Sequence, residues 1–174
     1  MMASVKGSCL AEMRASFAEA TDVLARIPTG RLTEIGATEE WSVRDVLAHE
    51  AGYERYVAAV LFGDLTGREP SNRDLYGRDD PPTPEVDASE DATNAWYLDR
   101  ARTMPVDDVV AEFRWAHERL VEGVLACAED DFEDPRTFPS FEGRSLLSVL
   151  PGQCWGHHRE HLPHLQAVAA MDRG

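Results

Sequence analysis

Lysine is almost missing from this chain of 174 residues: Lys6 stands alone, and arginine carries the remaining positive charge, a compositional mark of GC-rich genomes. Basic clusters are missing too. With a formal net charge of −15 and no Lys/Arg stripe, the chain would repel phosphate backbones and anionic headgroups, which argues against nucleic acid and membrane surfaces as partners. Cysteine is scarce: Cys9, Cys127 and Cys154 are too few and too scattered for a disulfide framework and form no Cys-x-x-Cys pair, so all three read as thiols. Long apolar runs are absent. The longest, Tyr56 to Phe62, is far too short for a bilayer span, and the N-terminal segment lacks a signal-peptide pattern, so a cytoplasmic protein is expected. Alternating strand patterns and internal repeats are also lacking.

What remains is a composition of 43% hydrophobic and 28% charged residues, that of one ordinary globular domain over residues 1–174. Its apolar residues recur at three and four. Leu10, Met13, Phe17, Ala20, Val23, Leu24 and Ile27 form the stripe of a first helix, ended by Pro28-Thr29-Gly30. Ser42 caps a second helix running to Gly63, with Asp45 completing a variant capping box and Trp41 as the staple before it. From Asp64 to Asp87 proline, glycine and charge interrupt any periodicity, which reads as a long loop over one end of the molecule. A short helix from Ser89 to Thr103 follows, and Pro105 opens a third long helix through Cys127. The acidic string Glu129 to Asp134 would oppose a helix dipole there and reads as solvated loop. A last helix spans Ser145 to Met171, with a bend expected at Pro151-Gly152. The fold expected is all-α: an antiparallel four-helix bundle with a short extra helix and a long loop after the second helix, its sites lying between facing helices.

Polar residues on the inward stripes then carry the functional information. On the second helix, at about 100° per residue, Tyr53 and Val57 align with Val46, while Glu50 and His49 border that line on opposite sides. A carboxylate on an apolar stripe is uncommon unless paired, ligating or catalytic; a salt bridge to a neighbouring arginine is its plain structural role. His117 takes an apolar place between Phe113 and Leu120. The segment GHHREHLPH, Gly156 to His164, offers His157/His161 at i,i+4 and His158/His161 at i,i+3, and periodicity does not choose between them. Two imidazoles one turn apart can share a divalent ion. Cys154 lies on the same stripe, as a small hydrophobe, a ligand, or a pocket thiol beside His158.

WSVRDVLAHEAGYERYV resembles the second-helix signature of the DinB-like (damage-inducible) four-helix-bundle superfamily, and HHREH resembles its C-terminal His-x-x-x-His. NAWYLDRARTMPVDDVVAEFRWAHERL is similar to the ClbS/DfsB branch, whose best-known type opens a strained ring of a DNA-alkylating natural product. The resemblance implies His49, His157 and His161 as metal ligands, leaving coordination positions free for water or substrate. Zinc or nickel suits such donors, although members without metal are also implied. It places Asn94 in the pocket, which Tyr53, Tyr56 and Cys154 are expected to line. Glu50, His117 and His158 are the candidate catalytic residues, Glu50 or His117 moving the proton. Glu50 departs from the family pattern, where an aliphatic residue is usual, and Pro151-Gly152 is a second departure.

Three function classes follow. The first is a metal-dependent hydrolase or ring-opening enzyme acting on a reactive natural product or other secondary metabolite, in self-resistance or biosynthesis. The second is a low-molecular-weight-thiol (mycothiol-type) transferase or isomerase, and the third a metal-free small-molecule binder or cyclase. All imply a small-molecule partner; monomer and homodimer stay open.

Overall fold

Helix starts are written in side-chain chemistry. Ser42 caps its helix by accepting from the Asp45 amide at 3.2 Å, while the Asp45 carboxylate accepts from the Ser42 amide at 2.9 Å. The other Asp45 oxygen takes a hydrogen bond from Arg102 at 3.0 Å, so one carboxylate serves both cap and tertiary contact. Ser89 and Ser145 cap two further helices with the same serine chemistry.

The computed structural model describes residues 4–87 and 89–171. Its helices are α1 (Val5–Leu24), α2 (Val43–Thr66), α3 (Asn72–Tyr76), α4 (Pro84–Asp87), α5 (Glu90–Thr103), α6 (Val106–Ala126), α7 (Leu146–Gln153) and α8 (Trp155–Ala170). An isolated bridge between Ile35 and Ser42 is the nearest approach to a strand among the described residues.

Four long helices form the bundle, as expected, and their directions follow from the contacts. Glu54 meets His117, and Leu61 meets Gly123, so α2 and α6 run parallel. Glu12 meets Arg159, and Arg31 meets Met171, so α1 and α8 run parallel as well, and the two pairs oppose each other. A parallel neighbour cannot be reached by a tight turn, because the chain must travel back along the bundle. That is the physical task of the segment between α2 and α6. The expected loop after Gly63 is therefore corrected: α2 continues to Thr66, ends on Gly67 in the left-handed region (φ 67°), and the crossover contains α3 and α4 before α5. Glu112 of α6 ties the return to the bundle by pairing with Arg55 of α2 and with Arg100 of α5.

The last helix is also corrected. In place of one bent helix there are two, separated at Cys154, whose backbone (φ −141°, ψ −101°) leaves the helical region. Pro151 removes an amide from the ladder. Gly156 then passes so close to the Pro151 carbonyl that no Cβ would fit. This break sets the direction in which α8 presents its histidines.

The apolar interior divides in two. One cluster, around Met13, Leu61, Leu120 and Leu150, fills one end; another, around Leu47, Phe113, Leu165 and Val168, fills the other. Between them lies a buried polar layer of Ser16, His49, Glu50, Glu54, His117, His157, His158 and His161. So much buried polarity in mid-bundle costs stability unless it is satisfied by partners or by function.

Candidate functional site

The polar layer separates into two groups because consecutive residues on a helix point about 100° apart. His49 of α2 and His157 and His161 of α8 form the first group, with one donor atom from each lying within 4.8 Å of the others. Glu54, His117, Cys154 and His158 form the second.

In the first group the Nε2 atoms of His49 and His157 approach to 2.7 Å, and the ring centroids of the three histidines lie 4.6 to 4.9 Å apart. His49 Nδ1 lies 2.9 Å from Asn94 Oδ1, an oxygen that can only accept, so this nitrogen carries the proton and Nε2 is left as a lone pair. Asn94 Oδ1 also accepts from the Tyr53 hydroxyl at 3.2 Å. His161 turns Nδ1 toward His164 at 3.3 Å. Trp41 closes one side, edge-on to His49 and stacked near His161. Burial, reinforced by neighbouring imidazoles, lowers His49 to about 3 and His157 and His161 to about 4, the neighbour for His157 being His158. All three are neutral at neutral pH, the state a metal ligand needs. Three neutral imidazoles from two rigid helices, one of them aimed by an outer-shell amide, fit a borderline divalent ion such as zinc or nickel and leave positions for further ligands.

Two clefts flank this group. A cavity of about 680 Å³ reaches Trp41, Asn94, Asp99 and Arg102. On the other flank a cavity of about 460 Å³ is walled by Tyr53, Tyr56, Tyr76, Tyr97 and Phe141, with Arg144 at its rim. Gly52 lets the Tyr97 ring lie against α2, where a Cβ would come within 2.8 Å of it. A further cleft around Phe62, Trp115 and Arg119 lies away from the histidines.

Of the residues singled out from sequence, the structure gathers His49, His157, His161, Asn94 and Tyr53, and sets Tyr56 in the aromatic cleft. His117, His158 and Cys154 it gathers elsewhere, around Glu54. His117 Nδ1 lies 3.1 Å from Glu54 Oε1, and its ring stacks on Phe17. His158 Nε2 lies 3.3 Å from the same oxygen, without hydrogen-bond alignment. Burial works to raise Glu54, but His117 and His158 hold it at about 2. Glu50 makes no salt bridge among the described residues: both its oxygens are buried without a hydrogen-bond partner. Burial, then Glu54, raise the Glu50 carboxyl well above its ordinary value, which favours its uncharged form. Glu54 and Ser16 escape a reading of the sequence. The available signals were the Glu50/Glu54 pair at i,i+4 and a serine between Met13 and Phe17 on an otherwise apolar stripe.

A family model of the DinB superfamily matches residues 11–164. The chain is similar to the crystal structure of an uncharacterised protein from Escherichia coli UTI89, at 14% identity and a TM-score of 0.75, over 99% of this chain and 96% of that one. No curated protein matches.

Proposed function

The chain belongs to the DinB superfamily, and from that membership, with three neutral imidazoles gathered beside an aromatic cleft, we propose a divalent-metal-dependent hydrolase or ring-opening enzyme for small, largely apolar electrophiles. The observation that carries the reading is the convergence of His49, His157 and His161 with Asn94 fixing the His49 tautomer. An ion held there would supply Lewis acidity, polarising a substrate oxygen or acidifying water.

The chain's own groups do the rest. Asn94 orients His49 and is itself held by the Tyr53 hydroxyl, so the cleft wall and the ligand set move as one unit. The tyrosines and Phe141 would exclude water from one face of a bound substrate, and Arg144 would meet an anionic substituent at the rim. Glu50, His117 and His158 face Glu54, so in this reading the proton leaves through the solvent side of the cleft. Similarity to the ClbS/DfsB branch supports a reactive natural product or another secondary metabolite as substrate, in self-resistance or biosynthesis. A thiol-transferase reading would need cationic groups for the carboxylates of a thiol cofactor; the two clefts offer Arg102 and Arg144.

The test is elemental analysis combined with hydrolysis of a panel of aryl esters and epoxides. His49→Ala should lose one metal ion per chain and with it the turnover, while keeping the helical circular dichroism. Undiminished turnover by a metal-stripped chain would overturn the reading.

A further inference from the structure

The second buried group has the donor set, the charge and the orientation of a metal site of another kind. Glu54 and His158 are each 1% exposed, Cys154 is fully buried and His117 is 4% exposed. They come from α2, α6, α8 and the break before α8, so that three of the four long helices supply donors to one point in the core. A tetrahedral zinc-type site with bonds of about 2.0–2.3 Å sets its donors about 3.3–3.8 Å apart. Here one donor from each residue lies within 4.8 Å of the others, and two of the separations are 3.1 and 3.3 Å.

The fourth long helix supplies the orientation. Ser16 of α1 has one hydroxyl proton, which it donates to the Met13 carbonyl at 3.1 Å. Its oxygen is then the acceptor for His158 Nδ1 at 2.9 Å, so that nitrogen carries the proton. His158 Nε2 lies 3.3 Å from Glu54 Oε1 and is buried without a hydrogen-bond partner. Glu54 Oε2 is buried and unpartnered as well. Two buried polar atoms without partners, in a cluster whose donors lie within 4.8 Å of one another, are what a bound cation would satisfy. Ser16 thus does for His158 what Asn94 does for His49.

We infer that Glu54, His117, Cys154 and His158 form a second, closed divalent-metal site, four-coordinate and of zinc type, separate from the three-histidine site. One thiolate, one carboxylate and two neutral imidazoles cancel the charge of a divalent ion, which lets the assembly sit where water cannot screen it. The three-histidine set carries no compensating charge and lies beside open clefts, so its ion needs an anionic or polar guest. On binding at the second site the Cys154 thiol gives its proton to solvent and a metal–sulfur bond forms. Burial, and then the Glu54 carboxylate, push that thiol well above its ordinary value when no cation is bound. The burial of all four ligands means that the ion enters while the chain folds.

The full chain is produced with cobalt(II) as the supplied metal and its near-ultraviolet spectrum recorded. Wild type should show a thiolate-to-cobalt charge-transfer band and two cobalt ions per chain. His49→Ala should keep the band and lose one ion; Cys154→Ser should lose the band and keep one ion. A folded wild type that binds cobalt without the band, or a band that survives in Cys154→Ser, overturns the assignment. Should either variant fail to fold, the band of a chain carrying Cys9→Ser and Cys127→Ser decides, because Cys154 is then the one thiol left and the three-histidine site contains no sulfur.

Discussion

A single buried atom can outweigh a helix face in this protein. Glu50 places a carboxyl with both oxygens unpartnered in the core, and a group left unsatisfied there costs about 1–3 kcal/mol. Glu50→Met keeps the volume and removes the polarity, so it should raise the urea midpoint, by about 1–3 kcal/mol of stability. A lowered midpoint would mean that Glu50 has a partner in solution. Asn94 acts through another residue. Asn94→Ala frees the His49 tautomer and should weaken metal binding by about 10–100-fold, measured by competition with a chromophoric chelator, with little change in melting temperature. Asp45 is one acid-sensitive residue. Burial opposes its charge, but Arg102 and Ser42 hold its pKa below the ordinary 3.8. The folded state therefore binds this proton less readily than the unfolded state. The stabilisation it provides is complete above the unfolded value and is lost as pH falls through the lower folded value. Asp45→Asn should flatten the acid limb of a stability-against-pH curve below about pH 4; an unchanged limb would remove Asp45 from the account.

At the scale of elements, caps and breaks decide where side chains point. The Ser42/Asp45 box fixes the start of α2, and with it the angular positions of His49, Glu50 and Glu54. The break at Cys154 does the same for His157, His158 and His161. Gly156 is the residue that permits the close approach of α8 to the Pro151 carbonyl, whereas Gly152, one turn earlier, has nothing within 4 Å of the place a methyl group would take. Gly156→Ala should lower the melting temperature and metal content together, while Gly152→Ala should raise stability by about 0.5–1 kcal/mol. Equal effects from the two would show that the tight approach does not control α8. The Ser42/Asp45 cap was legible in sequence because it is a local pattern of a few residues. The break was legible only as a bend, because proline and glycine mark an irregularity without saying which residue leaves the helix.

At the scale of the whole molecule, ligands drawn from separate helices make metal a cross-link of the bundle. An ion that binds the folded chain at about 100 times its dissociation constant adds about 2.7 kcal/mol. For a chain of this size that is worth roughly 2–4 °C per kcal/mol in melting temperature. Chelator treatment should lower the thermal midpoint accordingly, and restoring zinc should recover it; coincident melts would argue against metal across the helices. Among the described residues no helix is long and apolar enough to cross a membrane. The excess negative charge is spread over a surface whose positive groups are mostly paired arginines, such as Arg73 with Asp79 and Arg159 with Glu12.

By itself the sequence determined the long helices, the cap of α2 and the inward placing of His49, Glu50, His117 and the histidines near residue 160. Periodicity and capping act within a few turns of one segment. The tertiary structure alone decided which inward residues meet. Parallel pairing of α2 with α6 and of α1 with α8 carries Glu54 to His117 and Ser16 to His158, residues separated by 63 and 142 positions. It also divides neighbours such as His157 and His158 between two sites. A helix face specifies that a residue is inside; only the packing of several faces specifies what it finds there.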